Sequence, residues 1–223
     1  FVSRGGTESS EPIAAGETTT TVEATTTTLA STTSLPPTTS TTSTTTTTVA
    51  YPLANEWETL GDPIPAAELG LKASGIGPIA LGSPIGETTG ALVSTFGEAD
   101  NAGFDADLCA SHEWYWIEWG DFTAIFDGYA VDATFIAYRY QTAGSGTPDP
   151  TLETLSGIRL GDTVEALQST YGSYTVSFEV IEGKDHFRLL DGGELLLWGP
   201  VTSTEAQGTV EGIYSPDPCP PSS

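Results

Sequence analysis

The sequence predicts an α+β fold made of two tandem repeats, each a short helix followed by a three- to four-stranded antiparallel sheet. Three observations lead to this prediction. A helical motif occurs twice, the spacing of apolar residues after each copy changes from helical to alternating, and nearly all aromatic residues follow position 50. The two sheets can join into one larger sheet with both helices on one face.

The first fifty residues predict a disordered stalk that takes no part in the core. Ser or Thr occupies 23 of the 32 positions from Glu17 to Thr48, and Pro36 and Pro37 lie within this tract. Such a segment cannot bury enough apolar surface to offset the entropy lost on ordering, so we expect it to stay extended. Similar stalks separate an envelope anchor from a displayed domain and can carry O-linked sugars. An unmodified spacer is the alternative.

Export is the localisation that these features favour, either to the cell envelope or to the extracellular space. The chain begins at Phe1 and contains no Met, which suggests an upstream signal or membrane anchor. No apolar run reaches the roughly 18 residues of a membrane span. Cys109 and Cys219 are the only cysteines, and in an exported chain they predict a disulfide that closes a loop of about 110 residues.

The net charge disfavours two classes of partner. Six Lys and Arg against 30 Asp and Glu give a formal charge of -24 at pH 7. A field of this sign repels phosphate backbones and anionic lipid headgroups. We therefore expect no binding to nucleic acid or to a membrane surface.

A comparison of the chain with itself at a shift of 75 residues shows the repeat. It aligns Gly82–Gly97 with Gly157–Gly172, and eight of these sixteen positions are identical. A second alignment brings Ser74–Ile76 over Ser156–Ile158. The register at the start of each repeat therefore stays open.

Each copy of the motif predicts one helix. In the second copy Asp162 suits the N-cap and Glu165 the third helical position, and Gly172 follows the last turn. In the first copy the helix can start at Ser83, with Pro84 in the first turn.

Alternating apolar and polar residues after each helix predict strands that are buried on one face. The turns at Asp127-Gly128 and Asp191-Gly193 predict hairpins. The predicted strands are His112–Trp119, Phe122–Phe126 and Thr134–Tyr140 in the first repeat, and Thr175–Ile181, His186–Leu190, Leu195–Trp198 and a strand near Val210–Tyr214 in the second. The predicted organisation is a stalk over 1–50, repeat 1 with its lead-in over 51–141, a linker over 142–155 and repeat 2 over 156–223.

The duplicated motif G-[E/D]-T-x-x-A-L-x-S-T-[F/Y]-G, followed by antiparallel strands, resembles the tandem units of the β-lactamase inhibitory proteins. It is also similar to the single unit of SmpA/OmlA-type envelope lipoproteins. The resemblance lies in the two helix entries and implies export and a concave sheet that faces a protein partner. Those inhibitors carry a disulfide within each unit, whereas this chain has two cysteines in all.

No catalytic motif is recognisable. G-x-S-x-G and H-E-x-x-H are absent, and His112 and His186 are the only imidazoles. Glu113, Glu118 and Asp121 offer a carboxylate pair of the glycosidase type, yet a chain this acidic brings such pairs together by chance. The Cys and His spacing fits no zinc site. We therefore expect a protein that has no catalytic activity and binds no cofactor or metal. The alternative is an envelope hydrolase that uses an unidentified carboxylate pair.

The segment His112–Trp119 is the main candidate for a binding surface. In a strand its odd-numbered residues from Tyr115 to Trp119 point to one face, and Trp114 and Trp116 point to the other. Packing against helices needs one apolar face, so the second can bind a partner through its aromatic rings. Coverage of that face by residues 51–71 or by the other repeat is the alternative.

We therefore predict a non-enzymatic binding module whose partner is an extracellular protein or a glycan. A purely structural surface protein, whose acidity keeps it soluble, is a third possibility. The candidate contact residues are Trp114, Trp116, Tyr138, Tyr140, His186, Arg188 and Trp198.

Overall fold

The computed structural model describes residues 57–105, 114–142 and 151–216. In these ranges the chain is mostly β, with one antiparallel sheet of three strands, one of eight strands and two short α-helices. The prediction of an α+β fold made of two helix-plus-sheet repeats is therefore wrong. The predicted stalk, residues 1–50, lies outside the described residues.

The helices and strands follow in a simple order. A single turn of 3₁₀ helix, Ala66–Glu68, precedes them. The small sheet contains β1 (Leu71–Lys72), β2 (Gly75–Ile76) and β3 (Ile79–Ala80), and the first helix is α1 (Ile85–Phe96). Next come β4 (Asn101–Asp105), β5 (Trp114–Trp119), β6 (Phe122–Phe126), β7 (Phe135–Gln141) and the second helix, α2 (Val164–Thr170). The last strands are β8 (Thr175–Ile181), β9 (Lys184–Asp191), β10 (Glu194–Pro200) and β11 (Gly212–Tyr214).

The large sheet unites both halves of the chain, with strand order β4-β5-β6-β7-β11-β10-β9-β8. The C-terminal strand β11 lies in the middle, where Ile213 pairs with Tyr140 of β7 and Tyr214 pairs with Trp198 of β10. The seven strands predicted from alternation all form. The strands that sequence reasoning missed are two residues long or, in β4, contain too few apolar residues to give an alternating pattern.

Residues 151–155, predicted as part of a linker, place two side chains in the interior. Leu152 and Thr154 are buried, and the Leu71 N–H donates to the carbonyl of Glu153 at 2.8 Å. Tyr171, next to α2, donates its hydroxyl to Thr154 Oγ1 at 2.8 Å. This segment therefore connects the small sheet to the C-terminal end of α2.

The two helices begin in the same backbone setting but with different caps. Pro84 precedes α1 and forms a bridge with Thr134, while Thr163 precedes α2 and forms a bridge with Thr209. The Thr163 hydroxyl accepts a hydrogen bond from the Ala166 N–H at 3.1 Å, so it is the N-cap. The N-cap predicted one residue earlier, at Asp162, is wrong. No side chain caps α1.

The main core lies between the helices and one face of the large sheet. From the helices it takes chiefly Ile85 and Leu92 of α1 and Val164 and Leu167 of α2. The sheet residues on this face are almost completely buried; those from the three central aromatic strands are Tyr115, Ile117, Trp119, Phe122, Ala124, Phe126, Phe135, Tyr138 and Tyr140.

Candidate binding surface

Strand β5 divides its aromatic residues between two faces, as the sequence predicts. Tyr115, Ile117 and Trp119 belong to the core cluster that contains the helix residues. Trp114 and Trp116 belong to a second, smaller cluster with strand residues of β6 and β7. That cluster contains no helix residue from the described ranges, so we call this side of the large sheet the helix-free face.

Residues 51–71, the alternative cover for the second face, pack elsewhere in the part that the structure describes, residues 57–71. The Leu60 N–H donates to the carbonyl of Gly90, and the Ile64 N–H donates to Thr95 Oγ1, both at 3.1 Å. Both acceptors lie on α1. Residues 57–71 therefore belong to the helix side of the sheet.

One row of side chains crosses the helix-free face from edge to edge. Each member is the register partner of the next, and cross-strand partners present their side chains on the same face. From β4 to β8 this cross-sheet row is Asn101, Glu118, Thr123, Arg139, Tyr214, Trp198, Arg188 and Ser177.

The centre of the row is a rigid aromatic series. The Trp198 ring lies 5.0 Å from the Tyr214 ring in an edge-to-face arrangement and 5.6 Å from the His186 ring. Trp198 Nε1 donates to the carbonyl of Ser215 at 3.0 Å, and the Arg139 guanidinium lies 5.3 Å from the Tyr214 ring centroid, within cation–π range. The three rings are 7 to 8 % exposed. All three rings are therefore buried.

Positive charge is concentrated on the helix-free face near β9. The described residues contain five Lys and Arg, and three of them, Arg139, Lys184 and Arg188, lie on this face. His186 lies between Lys184 and Arg188 in the same alternation. The Arg188 guanidinium donates to Glu179 Oε2 at 3.2 Å, and about one third of each side chain stays exposed. The basic end of the face is thus formed by β9 and Arg139.

The opposite end of the row is acidic. Burial raises the pKa of the Glu118 carboxyl above its ordinary value, and the negative charges of Asp100 and Asp121 raise that pKa further. Asp100 Oδ2 accepts a hydrogen bond from the Gly120 N–H at 2.6 Å. In the described ranges no group of three or more His, Cys, Asp and Glu side chains has the arrangement of a metal site.

The structure places five of the seven predicted contact residues on the helix-free face. Trp116 and Arg188 are partly exposed, whereas Trp114, His186 and Trp198 are 8 to 9 % exposed. Trp114 packs with Ile125 and Ala137.

Tyr138 and Tyr140 lie on the helix side instead and are 0 and 1 % exposed. Tyr138 donates its hydroxyl to the carbonyl of Lys72 at 3.0 Å, and burial raises the pKa of that hydroxyl. Both residues therefore leave the set of candidate contacts.

Sequence reasoning missed Arg139 and Tyr214 on the helix-free face. The signal for Arg139 was present, because a cation between two tyrosines in an alternating strand points away from their face. Tyr214 had no such signal, since the position of β11 between β7 and β10 depends on long-range pairing. Four residues of the sequence predictions, His112, Glu113, Cys109 and Cys219, lie outside the described residues, and the disulfide stays a prediction.

Comparison of the chain with protein-family models, with curated proteins and with solved structures finds no match. The resemblance to β-lactamase inhibitory proteins and SmpA/OmlA-type lipoproteins accordingly remains a hypothesis. In the described parts of the chain, neither helix has the length and apolar character needed to cross a membrane.

Proposed function

We propose that this protein is an exported, non-enzymatic binding module that holds an acidic protein partner against its helix-free face. The observation that carries the proposal is the gathering of Arg139, Lys184 and Arg188 on one sheet face of a chain with only six Lys and Arg. A net charge of -24 repels acidic partners in general. A local basic patch attracts an acidic partner to one place on the surface and fixes its orientation there.

The arrangement of the rings favours a protein over a glycan. Sugars stack on an open aromatic face, but the rings of His186, Trp198 and Tyr214 pack on one another and are buried. Trp, Tyr and Arg are the residue types that dominate protein interfaces, and Trp116 and Arg188 are partly exposed on this face. Arg139 and β9 are three strand spacings apart, about 14 Å, which suits a protein surface.

The export part of the proposal has separate support. It rests on the Ser/Thr-rich tract from Glu17 to Thr48 and on the single pair of cysteines, both typical of exported chains. The charge distribution of the helix-free face does not depend on it.

A matched pair of charge reversals tests the binding proposal. Arg188 pairs with Glu179 on the helix-free face, and Arg159 pairs with Glu153 elsewhere on the surface. Arg188→Glu and Arg159→Glu therefore change the net charge equally and each breaks one ion pair. Labelled polyglutamate serves as the acidic polypeptide probe in fluorescence anisotropy, and polygalacturonate serves as the acidic glycan probe.

We expect Arg188→Glu to weaken polyglutamate binding about tenfold, while Arg159→Glu leaves it near the wild-type value. Equal losses for the two variants, or no binding by the wild type, would contradict the proposal. Binding of polygalacturonate but not polyglutamate would replace the protein partner by an acidic glycan.

A further inference from the structure

Within residues 57–105, 114–142 and 151–216, strand β8 is the last strand of the large sheet, and it lacks the features that usually protect such an edge. Natural edge strands avoid pairing through Lys, Pro, bulges or short length. β8 has seven residues, pairs with β9 in unbroken register from Thr175 to Ile181, and contains neither Lys nor Pro. Its one charged residue, Glu179, already pairs with Arg188. β8 therefore lacks the usual barriers to pairing with another strand.

The hairpin after β8 determines which backbone groups face the open edge. Glu182 and Gly183 form a two-residue turn with φ of 51° and 81°, as in a type I′ turn. In such a hairpin the flanking residues Ile181 and Lys184 form a hydrogen-bonded pair, and hydrogen-bonded pairs then alternate along the ladder. The odd-numbered residues of β8 therefore bond to β9. The N–H and C=O groups of Val176, Phe178 and Val180 point outward.

The side chains of the same three residues are apolar and lie at the border of the core, where they are only partly covered. Val176 and Phe178 pack against the main core and stay partly exposed, and Val180 is 69 % exposed. All three lie on the helix side of the sheet. A strand added beside β8 would extend the core across this edge.

We propose that the strand added there is β8 of a second copy of this chain, paired antiparallel about Phe178. In this register Val176 faces Val180 of the second copy, and Phe178 faces its own equivalent. The outward N–H and C=O groups of all three positions then meet as hydrogen-bonded pairs. On the other face Ser177 lies opposite Glu179, so no like charges oppose each other. Both backbone and side chains of β8 are thus self-complementary, and this dimer goes beyond the proposed binding function.

The net charge gives the dimer a characteristic salt dependence. Two chains of charge -24 repel each other at low ionic strength. Because the β8 contact itself is apolar and main-chain, screening removes the repulsion without weakening the contact. We expect dimerisation to strengthen in about 0.5 M sodium chloride, where the screening length falls to a few ångströms.

Sedimentation velocity of the full chain, from micromolar to near-millimolar protein, tests the dimer. Val180→Lys places an ammonium group at the open edge, whereas Val131→Lys makes the same change in a loop where the side chain is 91 % exposed. We expect Val180→Lys to lower the association constant at least about tenfold and Val131→Lys to leave it unchanged. Both variants should melt like the wild type because both side chains are exposed. A wild type that stays monomeric in high salt, or equal effects of the two changes, would overturn the proposal.

A second pair of variants tests the register. Ser177→Glu places a carboxylate opposite Glu179 at two symmetric positions, and Ser177→Lys places an ammonium group there. We expect Ser177→Glu to weaken the dimer about tenfold, while Ser177→Lys keeps or tightens it. If the two variants weaken the dimer equally, the register is wrong.

Discussion

The two halves of the large sheet use similar strands for different purposes. In β5, β6 and β7 the helix-side residues are buried, as are Trp114, Ile125 and Ala137 on the helix-free face, whereas β8 has no buried residue and β9 is exposed at both ends. The first half carries the larger apolar core and Arg139, and the second carries Lys184 and Arg188 of the basic end and the open edge. From this comparison we propose that the first half mainly provides stability and the second mainly provides recognition.

The largest expected difference between the two halves is in the cost of replacing an aromatic residue by Ala. Phe122 is fully buried and its ring lies 5.6 Å from Phe96 and 6.0 Å from Tyr138. We expect Phe122→Ala to lower the free energy of unfolding by about 3–5 kcal/mol. Phe178 is partly exposed, so Phe178→Ala should cost about 1–2 kcal/mol.

Urea unfolding at micromolar protein in low salt measures both values while self-association is suppressed. Similar costs for the two variants would show that the second half contributes as much to stability as the first. The division between stability and recognition would then be wrong.

The helix starts give a second contrast, worth about 1 kcal/mol. The sequence repeat aligns Thr88 with Thr163, yet Thr163 caps α2 and Thr88 lies inside α1. Thr163→Ala should lower the free energy of unfolding by about 1 kcal/mol, because the Ala166 N–H loses its acceptor. Thermal melts of this variant and of Thr163→Ser, which keeps the cap, separate the hydrogen bond from the other effects of the substitution.

Removal of a buried hydroxyl in α1 should stabilise the protein, in contrast to the substitutions above. Thr89 is fully buried, and its Oγ1 has no hydrogen-bond partner among the described residues. Thr89→Val keeps the shape of the side chain and removes an unsatisfied polar group, so it should raise the free energy of unfolding by about 1 kcal/mol. A loss of stability in the same urea experiment would mean that this hydroxyl has a partner in solution.

These contrasts show which features the sequence could predict. Local alternation located every strand from β5 to β11, because a half-buried strand repeats every two residues. It could not place β11 between β7 and β10, since that pairing joins distant parts of the chain. Trp198 and Arg188 lie on two strands joined by a hairpin, so alternation was enough to group them. Tyr214 was missed because its place on this face depends on the long-range pairing of β11.

The sequence predicted both helix starts to within one residue, at Ser83 for α1 and at Asp162 for α2, whereas the structure has Pro84 and Thr163 at these positions. An identical Thr occurs at both positions of the alignment, but the bridges to Thr134 and Thr209 fix the helix entries at Pro84 and Thr163. α1 therefore begins earlier relative to the shared motif than α2 does, and it is longer. A local motif cannot reveal a bridge to a residue about 50 positions away.

The acidic end of the cross-sheet row gives the smallest predicted effect. Burial and the charges of Asp100 and Asp121 raise the pKa of the Glu118 carboxyl above its ordinary 4.5. The native state therefore binds this proton more tightly than the unfolded state. The resulting stability is complete below the ordinary pKa and is lost as pH rises through the raised value. At neutral pH the ionised Glu118 carboxylate therefore lowers the free energy of unfolding.

Glu118→Gln should consequently raise the melting temperature by about 1–2 °C at pH 7, a small effect because Glu118 is partly exposed. Below about pH 4 the difference should disappear, because the wild-type carboxyl is then protonated as well. Glu194→Gln, an exposed change at the start of β10, controls for the loss of one negative charge from an acidic protein. If Glu194→Gln gives the same gain, the effect belongs to the net charge of -24 rather than to the acidic end of the row. If Glu118→Gln lowers the melting temperature at pH 7, the carboxylate is favourably placed, and the contrast between an acidic and a basic end of the helix-free face loses its energetic basis.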